Sequence, residues 1–507
     1  MSSTDIEKAH GSPSTNTTDH FDLDKTESTS SSEASDLAKP VPSPAPQSKW
    51  QRCLAGLTSG ENGGIVRIHP EEREPVTSST TLHMFLMWFS MTLATNNIVV
   101  GSMGTLVLGL SFKDAALCGI FGCLIGTSVI GYISTYGPKS GIRTLITARY
   151  SMGYYPSKFC CLLNLFTNIG YSMVNSVVVS GGHLSVLVGI TIVAVSSWAM
   201  ALFGMKIFQL YERVAWLPQL LVLCIMIGSA GPHFNFSDVV SDNPQHLAAK
   251  RITFISLTFS IGLAWAPLAS DYYVYYPSDL KSWRTFLVTM IASLQAMSLT
   301  LIMGIGLGSI LASSAYYAEK YGTSPGGMLM TAYDSLGGFG KFCAVINVLS
   351  MVANNTPGSY SMGLNLQMLG GAFGKVPRPV FTTLVTVIYA ACAMGGRDSL
   401  YEVFQSFLPL IGYWTIMFVV IVLEEDAFFR QTGGISGPIG TLPMGLAAGA
   451  SFLIGWAGAV VGMSQTFYTG PISEMAGGGE LGLWLGAGFT AVSFPLLRVL
   501  ELRFIGR

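Results

Sequence analysis

From about residue 83 onward, apolar runs of roughly 20 residues follow one another almost without pause, separated by short polar connections. A bilayer core of about 30 Å takes about 20 apolar residues per helix, so this pattern predicts an all-α polytopic membrane protein. About twelve transmembrane helices are predicted, at roughly 83–110, 113–137, 156–181, 184–204, 214–231, 253–276, 285–313, 340–371, 378–396, 401–423, 439–463 and 481–499.

The polar positions inside these runs carry the chemistry, because polar groups at membrane depth are costly. Span three holds Asn164, Asn168, Tyr171 and Asn175, a 4-3-4 spacing that keeps all four on one helical face. Span eight repeats the arrangement with Asn347, Ser350, Asn354, Gly358, Ser361 and Asn365. Both stripes must face protein or water. Amides also join helices to one another in membranes, so a single Asn serves either packing or a ligand.

Three spans read as interrupted. Span eight contains "VANNTPGSYS", where Pro357 donates no backbone hydrogen bond and Gly358 loosens the same turn, so the helix is expected to open beside Asn354 and Asn355. Span one reads "LATNNIVVGSMGTLVLG", with Thr95, Asn96 and Asn97 ahead of Gly101 and Gly104. Span six reads "SIGLAWAPLASDYYVYYP", with Gly262, Pro267 and Asp271. If the spans divide as five plus five plus two, spans one and six are equivalent members of two inverted repeats. Broken helices at equivalent places in such repeats point to the central site of a transporter.

Residues 1–80 are a different material, rich in Ser, Thr, Pro and acids, and are expected to form a disordered cytosolic tail. The transporter domain then covers 83–500, with a short cytosolic C-terminus at 501–507. Half of the 507 residues are apolar and only 11% are charged, which gives a mean hydropathy of +0.49. The net charge of −1 says nothing about nucleic acid. The placement of charge says more. With the N-terminus inside, all but six of the 27 Lys and Arg residues are cytosolic, the exceptions being Lys113, Lys250, Arg251, Lys320, Lys341 and Arg397. Both termini are therefore expected in the cytosol. The eight cysteines show no metal-ligand spacing, and neither a metal nor a cofactor is expected. Of the glycosylation sequons, only that at Asn235 falls in an external loop.

Twelve spans with repeat logic disfavour a receptor, the absence of HExxH and of paired intramembrane acids disfavours a protease, and no selectivity filter marks a channel. A small-molecule carrier remains.

Span eight's "ANNTPGSYSMGLNLQMLG", span six's "WAPLASDYYVYYP", the "MKIFQLYERVAWLPQ" between spans four and five, and the Tyr171–Asn175 pair together resemble the fungal purine-cytosine permeases of the nucleobase-cation-symporter family. The resemblance runs from His83 to the C-terminus. It implies a LeuT-type fold, proton symport at the plasma membrane, and a planar heterocycle held between aromatic side chains of spans three and six while span-eight amides read its edge. The matching positions are Tyr171, Asn175, Trp265, Asn354, Pro357 and Gly358, with the Thr95-Asn96-Asn97 turn closing the site and Asn355 beside it. Nucleobases such as cytosine, adenine, guanine and hypoxanthine are the implied substrates. Aromatic faces suit any such ring, and amides supply both donor and acceptor to its edge. Two positions depart from the family's usual pattern: Tyr171 stands in place of Trp, and Gly358 in place of Asn. The connection between spans three and four also looks shortened. A lost edge-reading amide alters which ring is accepted, which keeps a vitamin B6-type carrier of the same family in view. An amino-acid permease of the same fold would instead need a site for a carboxylate and an ammonium.

No histidine lies within a span beyond the flanking His83 and His183, so proton carriage falls to acids such as Glu212, Asp271 or Glu402. The resemblance marks Glu212 as the functional one. Its alternative is a surface ion pair with Arg213 or Lys206.

Overall fold

Every named element among the described residues is a helix, with a single isolated bridge between Ser464 and Thr469. The computed structural model describes residues 67–506 apart from 74, 76, 179–185, 204, 238–242, 322–324, 397–399 and 431–441. The first apolar run forms α1 (Ser78–Thr92) and α2 (Thr95–Ser102). After it come α3 (Phe112–Ser134), α4 (Tyr154–Val178), α5 (Val186–Phe203), α6 (Met205–Ala230) and α7 (Pro244–Leu263). The remainder are α8 (Ser282–Ser313), α9 (Gly337–Met368), α10 (Arg378–Gly396), α11 (Leu400–Glu424), α12 (Leu446–Gly462) and α13 (Gly482–Ile505). Among the described residues, 8 helices are long and apolar enough to cross a bilayer, or 9 with the bent α1–α2 pair counted as one. Shorter apolar stretches lie in α5 and α12. The 25-residue α4 carries the Asn stripe.

Two of the three expected interruptions are present. Between α1 and α2 the chain bends by 50° at Leu93 and Ala94, just ahead of the Thr95-Asn96-Asn97 turn, which opens α2. Asn97 Nδ2 donates to Thr92 O at 2.8 Å and so satisfies a carbonyl freed by the bend. The second break follows α7, whose helix ends at Leu263 and resumes as a 3-10 segment, Ala266–Tyr273, beyond a turn at Ala264 and Trp265. Pro267, near the start of that segment, needs no N–H partner there.

The third expectation is corrected. α9 continues as one helix through Pro357 to Met368. Proline removes a single donor, and packing of α9 against α4, α5 and α10 holds the turn helical in spite of it.

Close packing fixes where the second break sits. Gly126 of α3 and Gly262 of α7 meet back to back, and a Cβ on Gly262 would lie 2.6 Å from the Gly126 Cα. Backbones approach this closely only through small residues, so α7 is pinned three residues before Trp265.

The described residues include a packed stretch ahead of α1. The buried Arg73 guanidinium donates to Pro138 O at 2.6 Å, to Ile68 O at 3.1 and 3.3 Å and to Tyr276 O at 3.5 Å. Those carbonyls, on the connection after α3 and just past the 3-10 segment, give the stretch 67–73 something to fold against. Residues 1–66 lie outside the described residues. At the other end α13 runs past residue 500 to Ile505, and the buried Glu501 accepts from Gly445 N at 2.8 Å and Leu446 N at 3.1 Å.

Candidate functional site

The breaks after α1 and α7 face the polar stripes of α4 and α9 around a cavity of about 40 Å³. Asn96 and Asn97 come from α2, Asn168, Tyr171, Ser172 and Asn175 from α4, and Asn354, Asn355 and Gly358 from α9. Ile261 of α7, with Ala264, Trp265 and Leu268 at and beyond its end, completes the wall. Eight of the sequence-predicted residues therefore meet at one place. A void of this size holds one or two waters, so a ring of base size requires its lining side chains to move.

Asn354 occupies the junction of three elements. Its Nδ2 donates to Met91 O at 2.8 Å, and its Oδ1 accepts from Asn175 Nδ2 at 3.0 Å. Asn355 points elsewhere as well, its Nδ2 lying 3.4 Å from both Ser197 Oγ on α5 and Tyr389 Oη on α10. The unsatisfied groups of the cavity are others: Asn96 Oδ1, Asn175 Oδ1 and Tyr171 Oη are buried without a hydrogen-bond partner. Two acceptors and one hydroxyl are thus available to a ligand. Trp265 sits edge-on to Trp88 at 6.0 Å between centroids, and Tyr171 edge-on to Phe407 at 6.0 Å. No charged side chain lines the cavity.

Three predicted residues lie off the wall. Thr95 Oγ1 shares a hydrogen bond with Ser350 Oγ at 2.9 Å, which ties α2 to α9. Pro357 is buried in the body of α9. Asp271 Oδ1 accepts from Thr144 N at 2.7 Å and Thr144 Oγ1 at 3.0 Å, and its other oxygen lies 3.8 Å from Arg143. Arg143 in turn donates to Tyr360 Oη at 3.1 Å. These bonds make Asp271 a clasp between the 3-10 segment and the α3–α4 connection.

Glu212 is different. It is fully buried on α6, with the Ser90 side chain of α1 as its polar neighbour and no ion-pair partner among the described residues. The side chains of its expected partners Lys206 and Arg213, like that of Glu402, lie outside the described residues, as do His183 and most of the shortened connection between spans three and four. Among the described residues no group of three or more His, Cys, Asp or Glu side chains could hold a metal ion.

Sequence reasoning did not assign Asn168, Ser172, Ile261, Ala264 and Leu268 to the wall, nor Phe407 and Trp88 behind it. Ser172 falls four residues after Asn168 on the α4 stripe, so spacing alone could have found it. Phe407 could not be found that way, because it meets Tyr171 only through tertiary packing.

Helices broken around a small uncharged cavity at membrane depth define a secondary transporter rather than a channel. The family model described as a permease for cytosine/purines, uracil, thiamine and allantoin matches residues 71–486, and the chain belongs to that family of transport proteins. Among its relatives, the vitamin B6 transporter TPN1 of Saccharomyces cerevisiae is 30% identical over 88% of this chain and 88% of its own length. The purine-cytosine permease fcyB of Emericella nidulans is also 30% identical, over 90% of this chain and 92% of its own. Among solved structures, Mhp1, a nucleobase-cation-symport-1 family transporter in a closed conformation with bromovinylhydantoin bound, superposes with a TM-score of 0.61 at 13% identity. That match covers 87% of this chain and 96% of Mhp1, and it places the chain in the LeuT-type fold. A Na+-coupled sialic acid symporter matches with a TM-score of 0.57 at 12% identity, over 88% of this chain and 95% of its own.

Proposed function

We propose that this permease imports an uncharged planar nitrogen heterocycle, namely nucleobases such as cytosine, adenine, guanine and hypoxanthine, across the plasma membrane together with protons. The cavity supports this reading above all: Tyr171 and Trp265 on its wall, six asparagines around it and no ionic side chain. Ring N–H groups suit the unpartnered Oδ1 atoms of Asn96 and Asn175, while Tyr171 Oη serves either polarity. A zwitterionic amino acid would bring two charges to a wall that offers no counter-charge.

A second reading is import of vitamin B6. It is favoured by Gly358, which leaves room where the family's Asn would enter the cavity, and by the likeness to a vitamin B6 transporter. For the proton, Glu212, which has no cationic partner among the described residues, is the better carrier, since Asp271 is already held by Thr144 and Arg143. Both termini face the cytosol in this reading, in accord with the distribution of Lys and Arg.

Uptake of radiolabelled cytosine, hypoxanthine, pyridoxine and an amino acid by one strain lacking its own carriers tests the proposal. Saturable uptake of a base, competed by other bases, is expected. Uptake of pyridoxine alone establishes the second reading, and uptake of the amino acid alone overturns both.

A further inference from the structure

A larger cavity, of about 360 Å³, opens between the end of α2, the first half of α7, Pro409 of α11 and the α12–α13 connection. With the cytosolic termini proposed above, it faces outside. Its size falls in the ordinary range for small-molecule sites, which the central cavity does not reach. Met103, Val107, Leu108, Leu257 and Pro409 form an apolar floor, and Gln465 and Glu480 a polar wall.

That wall is firmly built. Glu480 accepts from Ser464 N at 2.7 Å, Gly482 N at 2.8 Å and Gln465 Nε2 at 3.1 Å, and its own backbone binds Thr253 and Ser256 of α7 at 3.0 Å each. Gln465 Nε2 also donates to Tyr413 Oη at 2.7 Å. Gln465 Oε1, in contrast, is buried with no partner. A buried acceptor fixed by two bonds on its nitrogen side, at the edge of a cavity, is a position for a ligand N–H.

The two cavities are stacked. Leu257 lines the outer one and Ile261 the central one, four residues apart on one face of α7, or roughly 6 Å along the helix. On α2 and the π-helical turn Met103–Val107 that continues it, the corresponding residues are Asn96 and Met103, seven apart, or roughly 10 Å.

We propose that this outer cavity is a second binding site for the transported heterocycle, which rests its ring on the Met103–Leu257 floor and donates an N–H to Gln465 Oε1. The inference depends on the transport reading given above. A substrate arriving from outside is held here before the central cavity opens.

The test uses the full-length chain in cells, with Thr466→Cys at the exposed rim of the cavity and a membrane-impermeant thiol reagent applied from outside. The parent chain without that cysteine is the control. The probe is cytosine or pyridoxine, whichever the wild-type chain takes up. At about ten times its Kd a bound ligand leaves roughly one site in ten free, so labelling should slow about tenfold. The same slowing is expected with Trp265→Ala, which disables the central site. It should be lost with Gln465→Leu and, independently, with Val107→Trp, which fills the floor without touching Gln465. Absent protection in a chain that still transports overturns the outer site and leaves the transport reading intact, and so does protection that disappears with Trp265→Ala. Failure of the wild-type chain to take up either probe overturns both.

Discussion

Asn175 Nδ2 donates to Asn354 Oδ1 across the α4–α9 interface at 3.0 Å, and Asn354 Nδ2 donates in turn to Met91 O at 2.8 Å. One amide thus couples the stripe of α4, the stripe of α9 and the bend in the first span. Asn354 was expected from the sequence to read the ligand edge itself. In the structure both its polar atoms are engaged, and the open acceptors belong to Asn175 and Asn96.

Asn354→Ala removes both bonds. Each contributes about 0.5–1.5 kcal/mol, so substrate binding should weaken by roughly tenfold or more while the protein still reaches the membrane. Radioligand binding with a surface-expression control measures this. Wild-type affinity in a correctly targeted Asn354→Ala protein would remove Asn354 from the site.

Trp265→Ala should abolish uptake, and Trp265→Phe should keep a part of it, because Phe preserves a smaller aromatic face toward the ring. Equal loss in both would assign Trp265 to its packing on Trp88, 6.0 Å away. Tyr171→Trp should change affinity without changing expression, as the Tyr171 hydroxyl is an unpartnered group of the cavity.

The sequence displayed the helices and the site for a physical reason. Apolar length reports spans directly, and a 4-3-4 spacing of polar residues can lie on only one face, so Asn168, Tyr171 and Asn175 had to point together. The cavity gathers eight predicted residues because its chemistry lies on two regular stripes and two breaks. Contacts between elements were not legible. That Thr95 turns to Ser350 and Asp271 to Thr144 depends on helices more than a hundred residues apart in sequence. Pro357 misled because local propensity favours a break that packing on both sides of α9 overrides.

Position 358 tests specificity. A Cβ there would lie 3.0 Å from Asn168 Oδ1, so the Asn168 amide, whose Nδ2 donates to Asn164 O at 2.7 Å and Asn164 Oδ1 at 3.1 Å, need give by only a few tenths of an ångström. Gly358→Asn should therefore be tolerated and should bring an additional amide to the cavity. A site gains discrimination when it hydrogen-bonds a particular edge, so the ratio of base to pyridoxine uptake should rise by roughly tenfold or more. An unchanged ratio would separate this position from substrate choice.

Arg73 ties the stretch before α1 to the α3–α4 connection and to the end of the 3-10 segment through carbonyl oxygens alone. Arg73→Ala leaves buried acceptors without a donor, at a cost of about 1–3 kcal/mol each where water does not replace it. A lower melting temperature and greater reactivity of a cysteine probe placed beside Arg73 are expected. A wild-type melting temperature and wild-type reactivity would show that these contacts contribute nothing.

Glu212 carries the energetic coupling in the proposed scheme. It lies fully buried on α6 beside Ser90, the residue before Met91, whose carbonyl takes the Asn354 amide. Its link to the cavity therefore runs through two adjacent residues of α1, Ser90 and Met91, and one hydrogen bond. Coupling requires proton and substrate to favour the same conformation, and each must tighten the other by the same factor. Loading a proton from outside should therefore make uptake rise in acidic external medium and fall in alkaline medium, with no response to sodium. Glu212→Gln keeps the size of the side chain and removes the exchangeable proton. It should reduce concentrative uptake more than equilibrium binding and flatten the pH profile, whereas a purely structural role would lower expression and leave the profile's shape unchanged. Accumulation driven by an imposed sodium gradient at fixed pH, or normal pH-dependent uptake by Glu212→Gln, would end the proton assignment.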